Sequence, residues 1–244
     1  MSNAEYRNWR LDYDADQVCW LTIDRAGEST NSLSQDVMQE LEKIVTQLEK
    51  EHPRGLVLQS GKKNSFIVGA DVREFDQVSS VEEAEGFIRE VHRVFDRIEA
   101  LPFPTAVVIN GYCLGGGLEL ALCFNYRVAV NTDATRLGFP EVRLGIYPGF
   151  GGSARTTRQI GGFQAMQIML TGRMLRAHQA KGLGLVDQLV GPHGGPRWAA
   201  RNAVLKGRKS RGPGLVAKIT NFGPVRKFLA GQMRKKTAAK ARPS

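Results

Sequence analysis

The segment NGYCLGGGLELAL, residues 110–122, places three consecutive glycines before Glu119, the one acidic residue of an otherwise apolar run. Glycine is a poor helix former, and an isolated carboxylate is costly to bury. The preceding residues TAVVIN predict a strand, and the apolar residues after Gly117 predict a helix from about Leu118. The segment therefore predicts a strand, a glycine-rich turn and a helix that carries a carboxylate in its first turn.

The spacing of these glycines differs from that of nucleotide-binding loops. A Walker loop needs a Gly-Lys-Ser or Gly-Lys-Thr sequence, which does not occur, and the step from Gly111 to Gly115 does not fit GxGxxG. Backbone amides at the start of a helix are unsatisfied and attract negatively charged oxygen. We therefore interpret the turn as half of an oxyanion hole, with a tight turn that only serves close packing as the alternative.

Two other segments repeat the combination of apolar residues, glycines and an acid. The stretch SFIVGADVREF places Gly69, Ala70 and Asp71 after a short apolar run, in a second loop where a backbone amide can point into a cleft. The stretch LGFPEVRLGIYPGFGGS places Glu141 between a proline and a valine. A single glutamate is most often a surface residue, but two acids in such surroundings favour a shared site.

Two carboxylates together with two backbone donors suit chemistry at the carbon next to a thioester carbonyl. The amides stabilise the enolate-like oxygen. One carboxylate activates water while the other supplies a proton to the α-carbon, and burial moves both pKa values towards neutrality. On this interpretation the glycines expose backbone amides and Glu119 is a catalytic acid or base.

Outside this unit, strands alternate with helices, which favours the α/β class. VCWLTID and GLVLQS are predicted strands, and the helix between them has Ser34 as its predicted N-cap. A second helix opens with Ser80 and Glu83 at capping-box spacing and ends at LPFP. Further predicted strands are YRVAV and RLGF. A helix follows GFGG, and AHQAKGLGLVDQLV predicts a helix, a turn and a closing strand.

The composition changes near residue 190. Residues 191–244 contain 14 of the 34 Lys and Arg and no acid, which leaves 20 basic against 24 acidic residues, a net charge of −4, in residues 1–190. Repeated glycines and prolines also interrupt this region. We predict one domain over residues 1–190 and a helical or partly disordered basic extension over 191–244. A linker or docking role is favoured over binding to nucleic acid or anionic lipid, because aromatic residues that stack on bases are sparse there.

Composition argues against several classes of protein. No run of eighteen apolar residues predicts a membrane span, and the first residues contain acids where a secretory signal has an apolar core. Three scattered cysteines fit a reducing cytoplasm, which is the predicted location. Four scattered histidines without a His/Cys cluster predict no metal site.

At these residues the sequence resembles the enoyl-CoA hydratase (crotonase) superfamily. The resemblance runs from about Trp9 to Val190 through five blocks in family order: TNSLS, FIVGADVREF, INGYCLGGGLELAL, FPEVRLGIYPGFGGSART and LTGRMLRAHQAKGLGLVDQLV. It implies a crotonase-like spiral of β–β–α turns, with helices packed on two roughly perpendicular sheets. It also implies hydration of a trans-2-enoyl-CoA in fatty-acid β-oxidation, with no separate cofactor, because coenzyme A is part of the substrate.

The resemblance implies a role for individual residues. Ala70 and Gly116 would donate the two oxyanion-hole amides, and the Gly149 amide would help to hold the attacking water. Glu119 would act mainly as base towards that water, and Glu141 as the acid that protonates the α-carbon. The positions expected to contact the substrate, including its coenzyme A and acyl portions, are Val68, Gly69, Asp71, Arg73, Gly115, Pro140 and Tyr147.

Three alternatives to a hydratase remain open. The chain could shift a double bond from position 3 to position 2 as an isomerase, either as its main reaction or as an activity secondary to hydration. It could also perform another crotonase-type reaction, or bind coenzyme A esters without turnover. Its C-terminal segment resembles the linker that follows the hydratase domain in multifunctional fatty-acid oxidation alpha subunits. That likeness implies a dehydrogenase domain and a thiolase partner in a longer parent protein, whereas the small hydratases of the family would imply a homotrimer.

Overall fold

The computed structural model describes residues 6–71, 73–74 and 80–238, which form two β-sheets and the helices given below. The strands are β1 (Trp9–Tyr13), β2 (Val18–Ile23), β3 (Gly55–Ser60), β4 (Ser65–Ile67), β5 (Thr105–Ile109), β6 (Tyr112–Leu114), β7 (Tyr126–Val130), β8 (Arg136–Gly138), β9 (Met174–Arg176) and β10 (Gln188–Val190). The α-helices are α1 (Gln35–Glu51), α2 (Val81–Glu99), α3 (Gly116–Ala121), α4 (Gly152–Ile160), α5 (Gly162–Thr171), α6 (Ala177–Leu183), α7 (Pro196–Leu205), α8 (Leu215–Asn221) and α9 (Gly223–Ala238). A short 3-10 helix covers Pro140–Leu144.

Successive strands are shared between the two sheets. The larger sheet has the order β1-β2-β3-β5-β7-β10, and the smaller sheet has the order β4-β6-β8-β9. In each of the pairs β3/β4, β5/β6 and β7/β8, the first strand joins the larger sheet and the second joins the smaller one, and a helix follows. All neighbouring strands are parallel except β1 with β2 and β8 with β9. This arrangement confirms the α/β class and the expected spiral of β–β–α turns.

The larger sheet is covered on both faces, which explains its almost continuous apolar strands. All six residues of β2 are buried, and its apolar residues alternate between two hydrophobic clusters. Cys19, Leu21 and Ile23 pack in the main core with α1 and α2. Val18 and Trp20 pack in a second cluster, to which α7 also contributes.

Of the three predicted helix starts, that of α2 is as predicted, whereas the cap of α1 and the first residue of α3 differ from the prediction. The Ser80 hydroxyl accepts a hydrogen bond from the Glu83 amide at 3.1 Å and caps α2 as predicted. Ser34 has the backbone conformation of an N-cap, but its hydroxyl donates to the Asp36 carboxylate and accepts no hydrogen bond from a helix amide of the described chain. Helix α3 begins at Gly116, two residues before the predicted start, because the glycines themselves form its first turn.

The described part of the basic extension is helical. On α7, Ala199, Ala200 and Val204 are buried against the second face of the larger sheet. Helix α8 is attached to α4 and α5 through Asn221, which accepts from the Gly162 amide at 2.9 Å and donates to the Thr157 carbonyl at 3.0 Å. The first helices of the extension therefore pack on the body of the fold. In the described ranges, no helix has the length and apolar character that a membrane span requires.

Candidate active site

A cavity of about 750 Å³ opens where the loop after β4, the start of α3, the 3-10 helix and α2 meet. The predicted site residues that line it are Val68, Gly69, Ala70, Asp71, Gly115, Gly116, Glu119, Pro140, Glu141, Tyr147 and Gly149. Arg73 does not line the cavity, and its guanidinium instead pairs with Asp71 and Glu28. The fold thus brings three segments that are far apart in sequence to one place.

The glycines before Glu119 allow unusually close approaches. Gly115 has φ +50°, and a Cβ atom there would lie 2.9 Å from a carboxylate oxygen of Glu141. A Cβ atom on Gly117 would lie 2.4 Å from the carbonyl oxygen of Ile67, so α3 packs directly on the backbone of β4. The glycines therefore also allow the start of α3 to pack closely against Glu141 on one side and against β4 on the other.

Among the described residues, the amides of the two predicted oxyanion donors have no hydrogen-bond acceptor. The neighbouring amides of Val68 and Asp71 donate to the carbonyls of Asn31 and Leu33 at 2.9 and 3.2 Å. Gly116 is the first residue of α3, where an amide has no partner within the helix. In the ranges 6–71, 73–74 and 80–238, no acceptor lies within hydrogen-bond distance of the amides of Ala70 and Gly116. Both amides belong to residues that line the cavity.

Glu119 of α3 is buried against the start of α4, with only 1% of its surface exposed. Its Oε1 accepts hydrogen bonds from the amides of Phe150 at 2.8 Å and Gly152 at 2.7 Å. A Cβ atom on Gly152 would lie 2.5 Å from the Glu119 Cγ, so glycine is required for this approach. Burial and, to a lesser degree, the charge of Glu141 raise the pKa of Glu119 to about 7, against the opposing effect of the two amides and Arg155.

Glu141 lies in the 3-10 helix that begins at Pro140, and it is half-buried. Burial also raises the pKa of its carboxyl group. Its Oε2 is buried and has no hydrogen-bond partner among the residues that the structure describes. The two carboxyl groups therefore share a cavity in which holding both charges is unfavourable.

The carboxylate of Asp71 is engaged by neighbouring arginines. It accepts from Arg25 Nη1 at 2.6 Å and from Arg73 Nε and Nη2 at 2.9 and 2.8 Å. These hydrogen bonds, above all those from Arg73, hold the pKa of Asp71 well below its usual range. The ion pairs fix the loop next to Ala70. Substrate contacts by Asp71 and Arg73 stay predictions.

Sequence reasoning did not identify Arg155, which lies behind the site. Its side chain is 6% exposed, donates to the Phe150 carbonyl at 3.2 Å and pairs with Asp96 and Glu99 of α2 at 2.5 and 2.9 Å. A signal was present in the sequence, because Arg155 shares the helical face of Gly152 and Ile160 that the fold buries. An arginine on the buried face of a helix implies acidic partners, but the pattern does not say which.

The chain is similar to known proteins of one family. A family model described as enoyl-CoA hydratase/isomerase matches residues 14–193. The fatty acid oxidation complex subunit alpha of Vibrio vulnificus is 39% identical over 243 residues, which cover 98% of this chain and 34% of that protein. The protein of the same description from Vibrio cholerae serotype O1 is 40% identical over 241 residues, 96% of this chain and again 34% of that protein. The chain thus spans about a third of the length of these relatives.

A solved structure shows the same fold. The enoyl-CoA hydratase of Bacillus anthracis superposes with a TM-score of 0.75 at 33% identity, covering 82% of this chain and 76% of that one. The match includes a relative of comparable length, and the family model covers most of the chain, with both glutamates and both predicted oxyanion donors inside it. The chain belongs to the enoyl-CoA hydratase/isomerase family, and it has the crotonase fold.

Proposed function

We propose that this chain adds water across the 2,3 double bond of trans-2-enoyl-CoA thioesters to give 3-hydroxyacyl-CoA. The observation that carries the proposal is the pair Glu119 and Glu141, which line one cavity with raised pKa values. Isomerases that only move a proton need one acid or base, whereas hydration needs a proton removed from water and another delivered to carbon. Two carboxyl groups that share one cavity suit the second task.

The oxyanion donors act on the thioester carbonyl. With its oxygen between the amides of Ala70 and Gly116, attack at C3 shifts electron density through C2 onto that oxygen. Backbone amides directed at such a developing charge are already oriented, and loss of one donor typically costs about 100-fold to 1,000-fold in rate. We infer that these two amides polarise the substrate and stabilise the enolate-like state.

The two glutamates divide the proton transfers. Glu119 accepts two backbone hydrogen bonds, which favour its ionised form, so it takes the proton from water as the oxygen bonds to C3. Glu141 has an oxygen without a described partner, and in its protonated form it delivers a proton to C2. The net change is addition of water, with the proton of the pair moved from Glu141 to Glu119. No cofactor is needed, because coenzyme A is carried by the substrate.

We also infer that the chain is the hydratase portion of a longer fatty-acid oxidation protein. The inference rests on the printed description of its relatives and on the share of their length that this chain covers, 34%. A dehydrogenase domain and a thiolase partner remain predictions for such a parent protein, as do a homotrimer for the chain alone and a cytoplasmic location.

The proposal is tested by supplying the chain with trans-2-enoyl-CoA and, separately, trans-3-enoyl-CoA, of short and long acyl length. Loss of the conjugated thioester absorbance and mass analysis of the product separate hydration from isomerisation. Hydration that falls by at least about 100-fold in Glu119→Gln and in Glu141→Gln supports the proposal. Glu90→Gln, which changes another glutamate of the cavity wall, is the matched control and should retain activity.

The same assay identifies the alternatives. Conversion of the trans-3 substrate without addition of water to the trans-2 substrate would assign the site to an isomerase. Binding of either ester without any turnover would assign the chain as a coenzyme A ester-binding domain. Both results contradict the hydratase proposal.

A further inference from the structure

Helix α2 forms one wall of the cavity, and its half-buried His92 contacts the loop between the 3-10 helix and α4. The Nε2 atom of His92 lies 2.5 Å from the carbonyl oxygen of Gly149. A carbonyl oxygen can only accept a hydrogen bond, so Nε2 carries the donated proton. This contact joins residues 57 positions apart in sequence.

The carbonyl group of Gly149 and the amide of Phe150 belong to the same peptide group. The Phe150 amide donates to Glu119 Oε1 at 2.8 Å. A single planar unit therefore accepts a hydrogen bond from His92 at one end and donates a hydrogen bond to the proposed base at the other. The imidazole and the carboxylate do not need to touch to be coupled.

A donor at the carbonyl end of a peptide group strengthens donation at the amide end. In condensed phases, such cooperativity increases the strength of each hydrogen bond by about 10–30%. A stronger bond to the Glu119 carboxylate favours its ionised form, which is the form required to accept a proton from water. The same contact also limits rotation of the peptide plane, so the amide remains directed at Oε1.

Other contacts hold Phe150 but do not reach the Gly149 carbonyl. The Phe150 ring packs edge to face on Phe87 and Phe95, with centroid distances of 6.0 and 6.2 Å. Arg155 Nη1 donates to the carbonyl of Phe150 itself, which belongs to the following peptide group. Among the described residues, His92 is thus the side chain that acts on the peptide group facing Glu119.

We propose that His92 is a positioning residue for Glu119, acting through the Gly149–Phe150 peptide group. The catalytic consequence rests on the proposed hydratase function, whereas the effect on the Glu119 carboxyl group does not. His92 keeps the amide of Phe150 aligned and polarised, and so keeps the base ionised and oriented at neutral pH.

The test compares His92→Phe, which removes the donor, with His92→Gln, whose amide nitrogen can donate to the same carbonyl. His92→Met is a second substitution without a donor and serves if a phenylalanine ring is not accommodated. Arg89→Gln is the matched control on α2, because Arg89 is exposed and pairs only with Glu85 in the described part of the chain.

Two measurements are made on each variant. The first is the pH dependence of kcat and KM for trans-2-enoyl-CoA hydration. The second is an NMR titration that follows the chemical shift of the Glu119 carboxyl carbon with pH, in a chain whose glutamates carry carbon-13. The Glu119 signal is assigned by its absence in Glu119→Gln. Besides the Phe150 amide, the groups that act on Glu119 are the Gly152 amide and the side chains of Glu141, Arg155 and Cys123, and all variants retain them.

We expect the donor-free variants to lose about threefold to tenfold in kcat, the factor of about one net hydrogen bond, with KM unchanged. The acid limb of their kcat profile and the Glu119 titration should both move to higher pH, and His92→Gln should restore both. Wild-type behaviour in His92→Phe and His92→Met overturns the proposal. So does equal loss in His92→Gln, or the same loss in Arg89→Gln. If the chain hydrates no enoyl-CoA, the titration alone decides the role of His92.

Discussion

At the scale of single residues, the two glutamates of the cavity differ in what surrounds them. Glu119 is fixed by two amides at the start of α4, whereas the Oε2 of Glu141 has no partner in the part of the chain that the structure describes. The surroundings of Glu119 explain why an acidic residue follows three glycines in an otherwise apolar segment. The apolar neighbours bury it and raise its pKa, and the glycines allow the backbone approaches that hold it.

The raised pKa of Glu119 predicts a pH-dependent stability. Between pH 4.5 and 7 the folded chain holds a proton that the unfolded chain has lost, so the free energy of unfolding falls as pH rises through this window. A shift from 4.5 to about 7 corresponds to about 3 kcal/mol. Glu119→Gln, which keeps an acceptor for both amides, should lack this part of the decline. Urea unfolding of both proteins at pH 4.5, 6 and 8 measures it, and parallel curves would contradict the prediction.

The glycine that opens α4 should not tolerate alanine. In Gly152→Ala the new methyl group would lie 2.5 Å from the Glu119 Cγ, so the carboxylate or the helix must move. We expect a loss of about 100-fold in kcat from displacement of the base and a destabilisation of about 1–3 kcal/mol. Gly182→Ala on α6 is the control, since a Cβ atom there meets nothing within 4 Å. Equal effects of the two substitutions would show that the contact with Glu119 is unimportant.

The positions of the candidate catalytic residues could be predicted because the local sequence carries the signal. Glycines beside a lone acid mark a buried carboxylate near free amides, and the resemblance of five ordered blocks adds specificity. His92 could not be predicted, because its partner Gly149 comes into contact with it only when α2 packs against the loop before α4. The sequence places Arg155 on a buried helical face, but its partners Asp96 and Glu99 are known only from the position of α2. A side chain that acts on backbone atoms leaves no residue pattern at its partner.

At the scale of elements, α2 and α4 are joined behind the site by a charged cluster. Arg155 of α4 pairs with Asp96 and Glu99 of α2 and donates to the Phe150 carbonyl. Asp96 and Glu99 are 72% and 39% exposed, so water replaces the arginine for them if it is removed. Water cannot replace the arginine in the same way at the buried Phe150 carbonyl, nor can it replace the packing of the buried aliphatic part of Arg155.

Arg155→Leu should therefore destabilise the fold by about 2 kcal/mol, the cost of a hydrogen bond to a charged group in a buried place. It should also raise the pKa of Glu119, since the nearby positive charge lowers it. Urea unfolding at pH 7 measures the first effect. Arg158→Leu on the same helix, whose arginine is 66% exposed, should cost less than about 0.5 kcal/mol. A similar cost for both variants would contradict a special role for Arg155.

The long elements were more predictable than the short ones. The strand Gly55–Ser60 and helices α1 and α2 have strong periodicity and clear ends, and they lie where the sequence places them. Two short strands, β8 and β10, were also predicted. The other strands of the smaller sheet have three residues each, too few for a period of two to be distinguished from a loop. They exist because each pairs with neighbours that are distant in sequence.

At the scale of the whole molecule, the predicted division near residue 190 falls inside the packed structure. The second face of the larger sheet is covered by α7, which follows that position. Farther along, the Ser210 hydroxyl accepts a hydrogen bond at 2.8 Å from Arg127, a buried arginine that pairs with Asp187 at 3.1 Å. The change of composition near residue 190 marks only where the sequence becomes rich in basic residues. The residues that bury the larger sheet continue beyond that position.

A chain that ends at residue 190 should therefore fail to fold, because it exposes the face formed by Val18, Trp20, Val57 and their neighbours. A chain that ends at residue 212 retains α7 and Ser210 and should unfold cooperatively. Circular dichroism on heating distinguishes them. Cooperative unfolding of the shorter chain at the same temperature would place the domain end at residue 190 after all.

The most direct test of the proposed chemistry follows the oxygen atom. The chain is incubated with trans-2-enoyl-CoA in water enriched in oxygen-18, and the product is examined by mass spectrometry. We predict that the wild type forms 3-hydroxyacyl-CoA with one labelled oxygen at C3. Glu119→Gln should form the same product at least about 100-fold more slowly. Product without the label, or Glu119→Gln that labels C3 as fast as the wild type, would contradict a water held and deprotonated by Glu119.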